Sequence, residues 1–358
     1  MRIQILAILI VTFIIVYTLV PAVSVSTKES SQVSPFVETW PIQDSCISVN
    51  SPQSLSSPRY TPHAYINITS DAELAAIAVN PTSQGTVNDP YLLENWNITT
   101  SDVPAISIKD TTKYFLIRNC WVNTGATFNA YGIFIHNVTR RTATILNNIC
   151  WNSYTGIYIE KSGNSTVVNN TCSYNTQYGI YLLQSGNSTI ANNTCYRNNV
   201  SAIFLRQSGY STIANNTCRE NLENGIYIKD SGNSTIENNF CVQNPDRGIT
   251  NSGSSNMVVI ENICQENGEG IHFEGSTYSI VANNTCQENQ IYGMYLQNVW
   301  NSTVINNTCQ ENQNNGLLLE VVRNSTVINN TCQNNYATGI YVWAAQDIRI
   351  FCLVIANN

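Results

Sequence analysis

Residues 179–198 read GIYLLQSGNSTIANNTCYRN, and close variants of this segment recur along most of the chain. Each variant contains one cysteine, and these cysteines follow one another at intervals of 22 or 23 residues. A fixed period of this length is the signature of a repeat architecture, in which each unit packs only on its neighbours. The cysteine column comprises Cys150, Cys172, Cys195, Cys218, Cys241, Cys264, Cys286, Cys309 and Cys332.

One repeat contains the pattern of three short strands. Residues 179–182 alternate between inward apolar and outward positions with period two, which is typical of a strand. Gly186-Asn187 ends this strand, a second begins at Thr189, and a third begins at Thr194 after a turn. No run of 3.6-residue periodicity is present, and the pattern of leucine-rich repeats is absent. The sequence therefore predicts an all-β fold, a parallel β-helix of ten or more rungs.

The aligned repeats place apolar residues in two inward columns, represented by Ile180 and Leu182, and asparagines at the corners. Asn251 is the exception in the second inward column. Pairs such as Asn192-Asn193 are suited to corners, because asparagine tolerates the left-handed backbone and its amide bonds to the turn. Stacked amides can also bond from rung to rung. We therefore predict structural roles for both asparagine columns.

Composition and the first residues indicate an exported protein that does not bind nucleic acid. Only 11% of the 358 residues are charged and the formal net charge is -7, which excludes the basic surface of a nucleic-acid binder. Residues 1–26 read as a signal peptide or an uncleaved N-terminal anchor, with Arg2 before an apolar run from Ile3 to Val20. Residues 27–62 are rich in Ser, Pro and Thr and are typical of a linker. The predicted location is secreted or cell-surface, with the membrane contacted only through the N-terminal segment.

With these motifs the chain resembles the right-handed parallel β-helix repeat family, in particular the NosD-like and CASH-type β-helices of exported archaeal and bacterial proteins, within the pectate-lyase-like superfold. The motifs that carry the resemblance are Gly-Ile-Tyr-x-x-x-Ser-Gly-Asn-Ser-Thr-x-x-x-Asn-Asn-Thr and the opening segment 85–95, and they extend from about residue 88 to the end. The resemblance implies a right-handed, single-stranded coil. It leaves the function open, because lyases, hydrolases, epimerases, adhesins and accessory proteins share this fold.

The two ends of the predicted β-helix differ. Residues 63–90 read as an N-terminal cap with a short helix at 71–79, begun by Ser70 or Asp71 as N-cap. The β-helix itself is predicted for 91–358. Cys352 falls out of register and no capping segment follows it. We therefore expect a truncated product or, as an alternative, end-to-end self-association through the open edges.

The cysteine column admits three interpretations. Cysteine is a small apolar residue that fits an inward position, which favours a column of buried thiols. Disulfides between rungs would be strained, because parallel Cβ atoms about 4.8 Å apart exceed the usual separation. A thiolate stack could also bind Cu(I), but a buried straight column lacks the convergent geometry of a metal site. The predicted role is structural, with no metal.

An outward column between the two inward ones is rich in aromatic residues. Stacked exposed rings could contact the faces of sugars, whereas the alternative is that aromatic residues simply pair well between neighbouring strands. The column contains Phe134, Tyr158, Tyr181, Phe204, Tyr227, Tyr295 and Tyr341, which are the predicted ligand-binding residues.

Catalysis would need two suitably spaced carboxylates, or a base near a cation. The nearest approach to such a cluster comprises Glu266, Glu269, His272 and Glu274, with Asp246 and Arg247 one rung earlier. Glu266, Glu288 and Glu311 also stack on successive rungs, either as a shared Ca²⁺ site or as a solvated acidic stripe. No other cofactor is predicted.

Taken as a whole, the pattern predicts an exported or cell-surface β-helix scaffold that binds glycans or other cell-surface polymers through the aromatic column. A carbohydrate-active lyase or hydrolase is the alternative, and a NosD-like accessory protein for copper delivery is a third. The shortage of His and Met argues against copper, and the absence of insertions between rungs argues against a deep catalytic cleft.

Overall fold

The computed structural model of the protein describes residues 60–351 and 354–356, with side chains up to residue 350. The predicted signal or anchor (1–26), nearly all of the predicted linker (27–62) and Cys352 lie outside the described residues. Among the described residues, no helix is long and apolar enough to cross a membrane.

Three parallel sheets run along the molecule, and each rung contributes one strand to each sheet. The sheet that contains the cysteine column, called here the cysteine sheet, has 13 strands. They span Thr61–Pro62, Trp96–Thr99, Trp121–Asn123, Ile149–Trp151, Thr171–Ser173, Thr194–Tyr196, Thr217–Arg219, Phe240–Val242, Ile263–Gln265, Thr285–Gln287, Thr308–Gln310, Thr331–Gln333 and Val354–Ala356.

The sheet that contains the aromatic column, called here the aromatic sheet, has 12 strands. They span Ile66–Ile68, Ile106–Lys109, Ile133–His136, Ile157–Glu160, Ile180–Leu183, Ile203–Arg206, Ile226–Lys229, Arg247–Ser252, Glu269–Thr277, Met294–Trp300, Leu317–Glu320 and Ile340–Trp343.

The third sheet also has 12 strands and lies between the other two in the path of each rung. They span Tyr91–Glu94, Phe115–Arg118, Ala143–Leu146, Thr166–Val168, Thr189–Ala191, Thr212–Ala214, Thr235–Glu237, Val258–Ile260, Ile280–Ala282, Thr303–Ile305, Thr326–Ile328 and Arg349–Phe351. The predicted all-β parallel β-helix of more than ten rungs is confirmed.

The register follows the sequence repeat. Tyr158 pairs with Tyr181, and Cys172 pairs with Cys195, so that each column of the repeat becomes a ladder. The side chains of Ile180, Leu182 and Cys195 are fully buried and represent the continuous core. Asn251 is fully buried in this core, where its Nδ2 donates to the Ser254 carbonyl (2.9 Å). Its Oδ1 has no hydrogen-bond partner within the described part of the chain.

The corners combine strained backbone with buried amides. Asn192 adopts a left-handed conformation (φ 56°) and is exposed, whereas Asn193 is 1% exposed. The Asn193 Nδ2 donates to Asn216 Oδ1 (3.0 Å) and to the Val167 carbonyl (2.9 Å). The same contacts recur on successive rungs, so the two asparagines of a pair divide the tasks of turning the chain and joining the rungs.

Serine forms a further ladder that the repeat did not reveal. The backbone N–H of Ser185 donates to Ser208 Oγ (3.0 Å), and the N–H of Ser208 donates to Ser231 Oγ (2.9 Å). These serines are fully buried. In the sequence these serines are typical turn residues. Their role as acceptors for the next rung becomes visible only in the structure.

The N-terminal rungs begin earlier than the predicted boundary at residue 91. Strands Thr61–Pro62 and Ile66–Ile68 already pair with the next rung. The helix spans Asp71–Ile77 with Ser70 as N-cap, whose Oγ accepts from the Glu73 N–H (3.2 Å). It ends two residues before the predicted 79, because Ala78 adopts extended ψ (136°). Leu74 is fully buried in the core cluster, so this helix covers apolar surface of the first rungs.

Candidate functional site

Five rings of the predicted aromatic column form a continuous stack on the outer face of the aromatic sheet. Successive centroids are 5.2, 5.0, 4.9 and 4.8 Å apart, and the interplanar angles are between 7° and 19°. The stack is called here the aromatic row and comprises Phe134, Tyr158, Tyr181, Phe204 and Tyr227.

The stacking determines which part of each ring a ligand can reach. Near-parallel rings about 5 Å apart cover much of one another's faces, so the row presents mainly ring edges outward. Tyr158 and Phe204 are only 9% and 7% exposed, and the Lys109 ammonium lies 5.6 Å from the Phe134 centroid at the open end. The outward chemistry of the row is therefore a line of ring edges that carry the tyrosine hydroxyls.

A second line of tyrosines flanks the row. Tyr131 packs against Phe134 (5.1 Å) and Tyr158 (4.9 Å), and Tyr178 packs against Tyr181 and Phe204 (both 5.1 Å). Burial, followed by the negative charge of Glu160, raises the pKa of Tyr158. Burial and neighbouring tyrosine and glutamate groups raise the pKa of Tyr178 to about 12. These hydroxyls therefore stay protonated and can donate hydrogen bonds at neutral pH.

The remaining predicted ring positions lie apart from this row. Thr250 and His272 occupy the column after Tyr227, and Tyr295 and Tyr341 follow, separated by Leu318. Tyr295 packs edge-on against His272 at 4.6 Å, and Tyr341 is 47% exposed. The structure therefore joins five of the seven predicted ligand-binding residues. The prediction that they bind a ligand stays a prediction.

Of the predicted catalytic candidates, the structure brings Glu269 and His272 together. Glu269 Oε2 lies 2.7 Å from His272 Nδ1 and accepts from Arg247 Nε at 2.8 Å. Burial alone would raise the pKa of Glu269. Its hydrogen bonds to His272 and Arg247 outweigh this effect, so the pKa is lowered. Because an ionised carboxylate only accepts, Nδ1 of His272 carries the proton and Nε2 is the basic nitrogen. The side chain of His272 is only 6% exposed.

Tyr295 packs against this charged cluster through its edge-on contact with His272. Tyr292 packs against Tyr295 at 5.4 Å, and the Tyr295 hydroxyl donates to Glu320. Burial and the Glu320 carboxylate raise the pKa of Tyr295. Glu274 pairs in register with Ser252 on the same sheet and exerts an electrostatic effect on Arg247.

Glu266 lies away from the cluster, at the corner that follows the cysteine sheet. Its carboxylate accepts from Gln243 Nε2 (2.8 Å), and the Glu288 carboxylate accepts from Gln265 Nε2 (3.4 Å). Glu266, Glu288 and Glu311 all adopt left-handed φ of 54–56° on successive rungs. No group of three or more His, Cys, Asp or Glu suited to a metal occurs among the residues that the structure describes. The Ca²⁺ site stays a prediction, and the change of the unfolding midpoint between Ca²⁺ and chelator would test it.

All nine predicted column cysteines are fully buried, and those from Cys150 to Cys309 are free thiols. Burial raises the pKa of the Cys172 and Cys195 thiols well above the ordinary range. A tenth buried thiol, Cys120, falls outside the period because it occupies the asparagine column, where its backbone N–H donates to Asn148 Oδ1 (3.0 Å). The cysteine column thus fills the core beside the corners, as the repeat indicates.

The sequence analysis did not identify the flanking tyrosines, although each stands next to a glycine of the repeat. Tyr131 and Tyr178 directly precede Gly132 and Gly179. Alignment of this position along the repeats would have revealed the line. The bond between Arg247 and Glu269 did not follow from the alignment, because these register partners are 22 residues apart, where the period departs from its usual 23.

Comparison with known proteins supports the fold. The family description "Right handed beta helix region" matches residues 104–264 and 201–352, which together cover more than half of the chain. No sequence among the curated proteins matches the chain.

Solved structures with the same fold include a double mutant of the periplasmic alginate epimerase AlgG, at 15% identity and a TM-score of 0.55, with 82% of this chain and 86% of that chain covered. The Dettilon tailspike protein gp208 matches at 15% identity and a TM-score of 0.55, with 73% and 61% covered. The enzymatically active domain of bacteriophage CBA120 tailspike protein 2 matches at the same identity and TM-score, with 82% and 47% covered. At this identity the likeness concerns the fold alone. From the family match and the observed coil, the chain belongs to the right-handed β-helix family.

Proposed function

We propose that the protein is an exported or cell-surface β-helix scaffold that binds glycans along the aromatic sheet. The observation that carries this proposal is the aromatic row with its flanking tyrosines, which presents a ring edge at each of five successive rungs, three of them bearing a hydroxyl. A linear polymer that lies along the helix axis meets an aromatic ring edge at each step of about 4.8 Å. Such a periodic surface suits a polymer with a repeating arrangement of hydroxyls.

Two further observations support this function. The similar structures include an alginate epimerase and tailspike proteins, and the first of these acts on a polysaccharide by its name. The apolar run from Ile3 to Val20 is typical of an export signal or anchor. Glycans are the polymers that an exported protein of low charge most readily meets at a cell surface, so export and ligand class agree.

Binding of a glycan to the ring edges and binding to the ring faces predict different effects of mutation. Phenylalanine already occupies the row at Phe134 and Phe204, so Tyr181→Phe with Tyr227→Phe preserves the stack and removes two hydroxyls. Binding through edges predicts that this double variant loses affinity on a glycan array while its unfolding midpoint is unchanged. Binding through faces predicts no loss in this variant and a loss in Tyr181→Ala with Tyr227→Ala. The proposal fails if the wild-type protein binds no glycan on the array, or if neither variant loses affinity.

A carbohydrate-active enzyme is the second candidate, favoured by the bond between Glu269 and His272. A carboxylate that holds Nδ1–H leaves Nε2 as a general base or acid, and such a group accelerates a reaction by roughly 10²–10⁴-fold. The low exposure of His272 argues against this role, because a substrate would need Tyr295, which packs against the imidazole, to move.

Incubation with a panel of polysaccharides, followed by detection of unsaturated or reducing ends, tests the enzymatic function. The expected loss in His272→Ala, with His63→Ala as a control of the same residue type outside both the cluster and the aromatic row, would establish it. Equal product formation by His272→Ala and the wild type would exclude this site.

A further inference from the structure

A groove of about 450 Å³ lies away from the aromatic row, at the corner that joins the aromatic sheet to the third sheet. Its walls come from four neighbouring rungs, which corresponds to a length of roughly 15 Å. The residues used in the argument are Arg140, Lys161, Gln184, Gln207 and Tyr210.

The floor of the groove is bare backbone, because the rungs stack too closely for side chains. A Cβ at Gly186 would lie 2.5 Å from the Gly209 carbonyl oxygen, and a Cβ at Gly209 would lie 2.4 Å from the Gly232 carbonyl oxygen. Only glycine permits this approach, so the same residues that allow the rungs to stack also keep the groove open.

The walls carry the groups that recognise a saccharide. Gln184 Nε2 donates to Gln207 Oε1 (3.1 Å), and this exposed amide pair supplies donors and acceptors for sugar hydroxyls. Tyr210 has left-handed φ (60°) and is 64% exposed. Within the described chain no other ring stacks on Tyr210, in contrast to the rings of the aromatic row. Its face is thus open to the apolar face of a sugar.

One end of the groove is positively charged. Arg140 and Lys161 contribute two positive charges and Arg141 follows directly, although the whole protein is acidic. Neither Arg140 nor Lys161 has an ion-pair partner among the described residues. The neighbouring Glu160 is engaged by His136 (3.0 Å), and Asp230 occupies the rung beyond Gln207, at the other end. This distribution favours an anionic group at the Arg140 end and a neutral sugar near Tyr210.

We propose that this groove, which we call the glycine corner, is a second saccharide site that binds an acidic glycan. The carboxylate or sulfate of one sugar lies between Arg140 and Lys161, the amide pair bonds to hydroxyls, and an adjacent sugar stacks on Tyr210. The proposal rests on the proposed function for its ligand class, but its residues are distinct from those of the aromatic row.

Titration calorimetry on the full chain at low ionic strength tests the site with three probes: hyaluronan hexasaccharide, sulfated cellohexaose and neutral cellohexaose. We expect the acidic probes to bind at least tenfold more tightly than the neutral one, and their ratio distinguishes carboxylate from sulfate recognition. The proposal is overturned if neither acidic probe binds. It is also overturned if the neutral probe binds as tightly as the acidic ones and still does so in Tyr181→Phe with Tyr227→Phe, in which binding at the aromatic row is weakened.

Variants locate the binding. Arg140→Gln with Lys161→Gln should weaken the acidic probes by about tenfold, since two exposed charge contacts are worth roughly 0.5–1 kcal/mol each. Arg197→Gln with Arg219→Gln removes two positive charges beside the cysteine sheet, where both arginines pair with Glu220, and is the control for the same change of net charge. An equal loss in the control would show general attraction to a charged surface and would refute the site.

Tyr210→Asn tests the stacking contact without disturbing the corner, because Asn187 and Asn233 occupy the same left-handed position on neighbouring rungs. The variant is made in a host without N-linked glycosylation, since it creates an Asn-Ser-Thr sequence. We expect weaker binding of the acidic probes with an unchanged unfolding midpoint, and unchanged affinity would contradict the placement. Tyr181→Phe with Tyr227→Phe should leave this binding intact, so failure of the aromatic row and failure of the glycine corner are separately visible.

Discussion

The asparagine ladder makes a quantitative prediction, because each corner holds two adjacent asparagines with different tasks. Asn216 is 1% exposed, whereas Asn215 is exposed and left-handed (φ 56°). We compare Asn216→Ala with Asn215→Ala and Asn215→Gly. The substitutions lie side by side on one rung and begin from the same residue type, so they separate hydrogen bonding from backbone strain.

The structure gives the magnitudes. Asn216→Ala removes four hydrogen bonds: Nδ2 to the Ile190 carbonyl and to Asn239 Oδ1 (both 2.9 Å), and the Asn193 N–H and Nδ2 to Asn216 Oδ1 (2.9 and 3.0 Å). At about 1 kcal/mol each, the free energy of unfolding falls by about 4 kcal/mol. The Asn193 N–H is also left buried without its acceptor, which adds to the loss.

The exposed neighbour behaves differently. Asn215→Ala keeps the Cβ but removes the amide that makes asparagine tolerant of left-handed backbone, at a cost of at most about 1–2 kcal/mol. Asn215→Gly removes the Cβ as well and so relieves the strain. Urea unfolding followed by far-ultraviolet circular dichroism measures the free energy of unfolding of all three variants. The comparison is valid when the slope of this free energy against urea concentration is the same as in the wild type. A loss in Asn216→Ala no larger than that in Asn215→Ala would refute the ladder as the main source of corner stability.

Four other outcomes follow from the structure. Asn251→Leu should raise the free energy of unfolding by about 1–3 kcal/mol, because it removes a buried oxygen without a partner, while the Ser254 carbonyl still accepts from Ser276 Oγ (2.8 Å). The lowered pKa of Glu269 means that its ionised form stabilises the folded state above the ordinary carboxyl pKa of about 4.3 and that this contribution is lost as pH falls through the lowered value. The difference in urea midpoint between wild type and Glu269→Gln should therefore shrink on acidification, and a constant difference would count against the bonds to Arg247 and His272. A water-soluble thiol reagent should leave the buried thiol of Cys195 unmodified in the native protein and should react after unfolding, whereas rapid native reaction would show that the core opens. In a spectrophotometric titration, Tyr178→Phe should remove a tyrosine that ionises near pH 12, and an unchanged late phase would contradict the burial of that hydroxyl.

The repeat itself predicted the coil, the inward columns and the corner asparagines. Ile180, Leu182 and Cys195 are fully buried, and Asn192 has left-handed backbone. These environments could be predicted because each position recurs in many repeats. Periodicity is informative here because the contacts of each rung are nearly those of the next.

The details of the surface did not follow from the repeat. The near-parallel rings of Tyr181 and Phe204 depend on side-chain rotation, which column membership does not determine. The bond from Arg247 to Glu269 joins residues 22 apart, at a place where the period shortens from its usual 23. Cys120 replaces an asparagine in a rung that precedes the regular repeats.

The ladders also govern how such a molecule can change in length. The segment Asn187–Gly209 is one full period, so the residues after Gly186 and those after Gly209 occupy equivalent positions in the repeat. Removal of this segment would therefore bring Cys172 beside Cys218 and restore the pairing of cysteine with cysteine. Duplication of the segment would likewise extend every column by one matching member. Gene rearrangements of whole periods can therefore lengthen or shorten the aromatic sheet while each new boundary reuses contacts that already exist, so the length of this surface can evolve separately from the side chains that it displays.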